Sequence, residues 1–237
     1  MCSVILAIGV STAWPLMMAA NRDEMLGRPW VGPGRHWPEQ PDVVGGLDTL
    51  GGGTWLGVND AGVVAAVLNR AGSLGPAAGK RSRGELPLLA LRHGSARAAA
   101  HAVAGLDAAL WRGFNLVVAD RAGAFFLRGV GEGRIVPHAL LAGVHMVTAL
   151  DPDDMTSARV ARHLPRFREN PLPCPPDWAG WPAMLADGEG PLEAALCVPA
   201  TNGFGTVTST LLALGETVEF LATAEPPGAA RFSPVTF

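Results

Sequence analysis

The sequence predicts an antiparallel α+β fold. Strand-length apolar stretches recur in pairs around turns rich in Gly, Asn and Asp. Segments with helical apolar spacing lie between two groups of such pairs instead of alternating with single strands. With 237 residues, 49% hydrophobic and 16% charged, the chain can bury a sizeable core and is not disordered. No internal repeat or low-complexity linker divides it, so a single domain over 1–237 is expected.

Residues 2–8, rich in Val, Ile and Leu, read as a buried strand. Turn residues occupy 9–13, and 14–20 read as the returning strand, with Asn21-Arg22-Asp23-Glu24 at its far end. Residues 27–53 carry many Gly and Pro without a helical period and read as a long ordered loop. A second hairpin spans 54–58 and 63–68, turning at Asn59-Asp60-Ala61-Gly62. Helical spacing follows at 85–92 and 96–104, the latter with Ser95 as N-cap. Strands are predicted at 114–119 and 124–127 around a turn at 120–123, and again at 144–148. A helix is expected from Asp154 until Pro165, and a short one at 181–186 within a Pro- and Gly-rich stretch. The last hairpin pairs 206–212 with 217–221 around Gly215.

Composition excludes several function classes. The net charge of -3 offers no general attraction to nucleic acid or anionic membrane, and Lys80, Arg81 and Arg83 read as a solvated Gly-rich turn. Cys2, Cys174 and Cys197 cannot all pair and lack metal-ligand spacing, which favours a reducing, cytoplasmic setting. The apolar run at 4–20 has no preceding Lys or Arg and is interrupted by Ser11, Thr12 and Pro15, so neither an export signal nor membrane insertion is expected. The six His residues form no i, i+4 pair, and no metal site is expected. The Gly-rich stretches at 51–54 and 129–133 lack a phosphate-binding Lys and read as turns. No covalent haem-attachment motif is present; a non-covalent haem pocket using a lone His or Cys2 stays open. Oligomeric state is not legible.

Chemistry concentrates at the N-terminus. Removal of Met1 would leave a thiol and a free α-amine on Cys2. The amine titrates near pH ~8 and the thiol near ~8.5, so the amine can serve as the thiol's own base. The alternative is a small residue that merely starts a strand. Antiparallel pairing would return Asn21–Glu24 beside Cys2, where a guanidinium favours thiolate and a carboxylate can hold an amine. Four polar residues at a strand end also make an ordinary solvated turn. Asn69 closes an apolar strand, where its amide suits a developing oxyanion or simply a turn.

In this order, Met1-Cys2, Asn21-Arg22-Asp23-Glu24 with Arg28-Pro29, and Gly52-Gly53-Thr54-Trp55-Leu56-Gly57 resemble the NRDE family, also called the transport and Golgi organisation protein 2 family. The resemblance continues through Leu68-Asn69-Arg70, Ser82-Arg83-Gly84-Glu85-Leu86, Gly113-Phe114-Asn115-Leu116 and Phe204-Gly205-Thr206, nearly the full length. It implies an N-terminal-nucleophile hydrolase-like fold, a four-layer αββα sandwich of two antiparallel sheets, similar to the choloylglycine hydrolase, penicillin V acylase and acid ceramidase group. In that group Cys2, Arg22 and Asp23 would form the catalytic core, with Asn69 at the oxyanion. The sequence departs from the group where Ala149 and Thr210 replace an expected Asn and Arg.

The resemblance therefore implies hydrolysis of a non-peptide linear amide such as an N-acyl amine. Its alternative is a haem or lipid/acyl-CoA binding and trafficking protein on the same scaffold. The expected partner is a small hydrophobic or amide-bearing molecule, or haem as a bound ligand, with no resident cofactor.

Overall fold

The computed structural model describes residues 2–228 and 231–237. In chain order its elements are β1 (Ser3–Ile8), β2 (Leu16–Met25), β3 (Trp30–Gly34), β4 (Val43–Asp48), β5 (Leu56–Asn59) and β6 (Val64–Asn69). Then follow α1 (Glu85–Ala90), α2 (Ala96–Ala104), β7 (Phe114–Asp120), β8 (Gly123–Gly129), β9 (Val136–Leu140) and β10 (Gly143–Val147). The chain closes with α3 (Ala158–Glu169), α4 (Trp181–Leu185), β11 (Phe204–Leu214), β12 (Val218–Ala222) and β13 (Ser233–Pro234). These elements fall into two compact units, one built from residues up to 28 with 142–235 and the other from 29–141 with 236–237.

The first unit is a six-stranded sheet in the order β10-β1-β2-β11-β12-β13, antiparallel throughout. One face of β1 and β2 presents Ile5, Ala7, Met17 and Ala19 to Val160, Leu164 and Phe167 of α3 and Trp181 and Leu185 of α4. Alternate residues point the other way, yet Val4, Leu6, Leu16 and Met18 are buried as well. Burial on both faces explains why these strands read as continuous apolar runs without polar alternation. Each fully buried aliphatic contributes about 1.5–3 kcal/mol from removal of its surface from water.

The second unit is a seven-stranded antiparallel sheet whose strand order follows the chain from β3 to β9. Its α1 and α2 layer packs Leu86, Leu91, Ala99 and Val103 against Val63, Ala65, Phe114, Leu116 and Val118. Asn59 ties the layer to the sheet: its amide donates to the carbonyls of Leu91 and His93 at 2.8 and 2.9 Å and accepts from the Val63 amide at 2.8 Å. Both units thus consist of an antiparallel sheet with helices on one face, as the predicted α+β class requires.

The stretch 27–53, expected as a loop, forms β3 and β4. Its glycines look like loop residues but serve packing: a Cβ on Gly46 would fall 2.1 Å from the Trp55 ring, and one on Gly45 would lie 2.8 Å from the Leu56 carbonyl. β9 was also missed, being an exposed edge strand that tolerates Pro137. The third helix starts at Ala158, capped by Ser157, and runs through Pro165 to Glu169. Phe167 is fully buried beyond the proline, and Arg168 donates to the Val144 carbonyl and to Asp153, so tertiary contacts hold the last turn despite the lost backbone donor.

Candidate active site

The polar run Asn21–Glu24 does not form a turn beyond β2; it lies within the strand. β11 extends alongside, pairing Ser209 with Asn21, Thr206 with Asp23 and Gly205 with Glu24. Alternation then gives neighbouring residues separate tasks. Asn21 lies on the face of Met17 and Ala19, where its amide donates to the carbonyls of Leu185 and Leu196, both at 2.9 Å, and its oxygen accepts from Ser209 Oγ. Both amide protons and the amide oxygen are thereby engaged inside the first unit, which makes Asn21 a clamp.

Asp23 shares that face. Its Oδ2 accepts from Arg159 Nη1 at 3.1 Å, and its Oδ1 accepts from Thr206 Oγ1 at 2.6 Å. The Thr206 oxygen itself accepts from the Val198 amide at 2.7 Å, which leaves its proton for Asp23. Arg159 Nη1 also donates to Ser3 Oγ at 3.1 Å. A bulge between Thr206 and Thr208 sets Thr206 opposite Asp23 and Thr208 opposite Arg22. The carboxylate is thus held by fixed donors at the start of β1, one residue from Cys2.

Cys2 precedes Ser3, which pairs with Asn21. The next step of that ladder sets Cys2 across from Arg22, on the face opposite Asp23's side chain. The residue is half-buried, and its thiol donates to the Asp23 carbonyl at 3.6 Å. Burial, then the Asp23 carboxylate, push the thiol above its usual pKa; the Arg22 guanidinium opposes this more weakly. A thiol so placed stays protonated near neutrality and requires a base to attack. Arg22 is itself buried, with Nη2 3.7 Å from Glu24 Oε2, which also faces Arg28 Nε at 3.7 Å. The structure therefore brings Cys2, Arg22 and Asp23 together. Removal of Met1 concerns a residue outside those described.

Asn69, the fourth sequence candidate, ends β6 in the second unit and pairs with Phe114. It is half-buried and continues the stripe of Val63, Ala65 and Val67 that packs toward the helices. On the alternate stripe, Leu68 pairs with the fully buried Asn115, whose oxygen accepts from Arg70 Nη1 at 2.7 Å. Arg70 and Asn115 were not picked out as site residues, although both lie in stretches that carry the family resemblance.

Other residues were missed as well. Arg159 sits on the buried stripe of α3 with Val160, His163, Leu164 and Phe167. A charged residue on a largely apolar stripe is the signal that could have found it. Thr206, Thr208 and Ser209, with Thr210, are polar residues in an otherwise apolar strand, a comparable signal. Ala149 is buried two residues past β10, and its methyl can donate no hydrogen bond. Cys197 is half-buried with its pKa raised, chiefly by burial, and Cys174 is exposed. Among the described residues, no group of three or more His, Cys, Asp or Glu is placed to hold a metal, and no helix is long and apolar enough to cross a membrane.

Two antiparallel sheets, each with helices on one face, put the chain in the N-terminal-nucleophile hydrolase fold class. Solved structures bear this out: an N-acylethanolamine-hydrolyzing acid amidase ortholog from Caenorhabditis elegans superposes with a TM-score of 0.58 at 12% identity, covering 90% of this chain and 92% of that one. Penicillin V acylase from Agrobacterium tumefaciens gives 0.55 at 16% identity, covering 94% and 83%. A variant of conjugated bile acid hydrolase from Clostridium perfringens gives 0.58 at 12% identity, covering 99% and 92%. By sequence, the Transport and Golgi organisation 2 family matches residues 1–154, and the chain belongs to that family. Transport and Golgi organization protein 2 homologs from Bos taurus and Homo sapiens are 35% and 34% identical over 113 residues. That match covers 46% of this chain and about two-fifths of either relative.

Proposed function

We propose that the protein is a cysteine N-terminal-nucleophile hydrolase of a non-peptide linear amide, with an N-acyl amine as the model substrate. The observation that carries this reading is the thiol of Cys2 held against Asp23 at the meeting of β1 and β2. The fold likeness to amide-cleaving acylases supports it. After loss of Met1, the new α-amine takes the thiol proton as Sγ bonds to the substrate carbonyl carbon. The tetrahedral adduct collapses with cleavage of the C–N bond, and the amine returns the proton to the departing nitrogen. Water, deprotonated by the same amine, then attacks the thioester, releasing the acid and restoring the thiol. Arg22 and Asp23 tune the nucleophile; the family resemblance, and not its place on the helix-facing stripe of the second unit, is what proposes Asn69 for the oxyanion.

Two measurements test this: Cys2→Ala should abolish hydrolysis of fluorogenic N-acyl amides, and intact mass should show Met1 absent and one acyl adduct on Cys2 after a thiol-directed acylating probe. Retained turnover in Cys2→Ala sinks the mechanism.

A second reading is favoured by Ala149, which offers no donor where the amidase group has an amide. On that reading the scaffold, in the cytoplasm, binds and carries haem or a lipid or acyl-CoA molecule without cleaving it. A Soret shift on haem titration that survives Cys2→Ala, in a protein that never acylates, would favour the carrier.

A further inference from the structure

A cleft of about 350 Å³ lies wholly within the second unit, between the loop after β6 and the segment that leads into β7. Arg70, Lys80 and Arg112 line it, and no Asp or Glu is among its lining residues. Lys80 and Arg112 are held by neutral oxygens. Lys80 Nζ donates to the Ala109 carbonyl at 2.6 Å and the Gly131 carbonyl at 3.4 Å. Arg112 donates to the carbonyls of Pro76 and Gly72, both at 3.3 Å. Carbonyl partners fix the position of a charge without cancelling it. The loop expected as a solvated turn is thus tied down by its own Lys80 and by Arg112, which reaches its carbonyls from the segment before β7. In a chain of net charge -3, this concentration of positive charge is local.

A second observation points the same way. Trp111 also lines the cleft, is fully buried, and its indole N–H has no hydrogen-bond partner among the described residues. A buried donor without a partner commonly marks the place of a bound group or water. Arg81 lies over the same ring, 5.2 Å from its centroid, but it is paired with Glu85 and does not line the cleft, so the cleft's charge rests on its own lining residues.

We propose that this cleft binds the phosphate group of a small molecule, with Lys80 and Arg112 as its principal contacts. The inference is independent of the reaction assigned to Cys2. The probe is inorganic pyrophosphate, titrated calorimetrically into the full chain at low ionic strength. Single-site binding is expected, weakened about tenfold or more by Lys80→Gln and by Arg112→Gln. Lys80→Arg, which keeps the charge, should retain it. Arg97→Gln, which removes the same charge from an exposed position of α2, should leave binding unchanged. Because Arg112 also ties loop carbonyls, Lys80→Gln with an unaltered melting temperature is the deciding variant. Phosphatidylglycerol vesicles distinguish the source: association displaced by pyrophosphate assigns the phosphate to a lipid headgroup, and lack of association assigns it to a soluble ligand. Absence of saturable pyrophosphate binding overturns the proposal, as does an equal loss in Arg97→Gln.

Discussion

Arg159 donates to Asp23 across the first unit, and neither side chain is more than 7% exposed. Arg159 stands in the first turn of α3, where the helix dipole disfavours a cation, so its placement there depends on the carboxylate opposite. Removing one member of a buried ion pair strands the other. Arg159→Met should therefore destabilise the protein by about 3–5 kcal/mol, read by urea denaturation. Thr206→Val should cost about 1–3 kcal/mol, because it removes the Asp23 donor and leaves the Val198 amide without its acceptor. A loss under about 1 kcal/mol in Arg159→Met would mean the pair is solvated and does not position the start of β1.

The local fold was legible where burial and period agree. β1, β5 and β6, β7 and β8, and α2 with its Ser95 cap follow from apolar runs and turn chemistry. Expectation failed where a residue's ordinary role was overruled by a distant partner. Gly45 and Gly46 read as loop, but the ring of Trp55 and the chain of β5 require them in a strand. Asn21–Glu24 read as a strand end, but the long β11 supplies backbone and side-chain partners that let four polar residues continue the sheet. At the candidate site, Cys2, Arg22 and Asp23 could be named from order alone. Arg159 could not, since its contact with Asp23 spans 136 residues of sequence.

The Cys2 thiol should titrate above the ordinary thiol range of about 8.5. Asp23 raises it and Arg22 lowers it, so the two substitutions should move it in opposite directions. In the pH dependence of alkylation by iodoacetamide, followed on Cys2 by peptide mass, Asp23→Asn should shift the inflection down and Arg22→Gln should shift it up. Identical profiles for the wild type and both variants would remove these residues from the tuning role.

Gly46 offers a test of packing separate from chemistry. A methyl group there would overlap the Trp55 ring, which also packs edge-on against Trp30 with centroids 5.6 Å apart. Gly46→Ala should destabilise by about 1–3 kcal/mol through overpacking. Combining it with Trp55→Leu should recover part of that loss, because the smaller side chain vacates the space. A double variant as unstable as the sum of the singles would show that the ring is not the obstacle.

His163 sets an acid limit on the first unit. The ring is fully buried in α3; its Nε2 lies 2.8 Å from the Ala194 carbonyl and its Nδ1 3.2 Å from the Arg166 guanidinium. A carbonyl needs a proton on Nε2, and a guanidinium needs a lone pair on Nδ1, so the geometry fits the neutral ring alone. Burial is the first cause of its lowered pKa, and the Arg166 and Arg162 charges add to it, against the opposing pull of the Ala194 carbonyl and Asp187. An unfolded histidine takes up its proton near pH ~6.5. Because the folded pKa is the lower one, the stability from neutral His163 is complete above that value and is lost as pH falls through the folded pKa. Melting temperatures measured from pH 8 to pH 5 should thus fall more steeply for the wild type than for His163→Gln, whose amide can still donate to Ala194. Parallel curves would mean that the ring gains its proton without cost and that another group sets the acid limit.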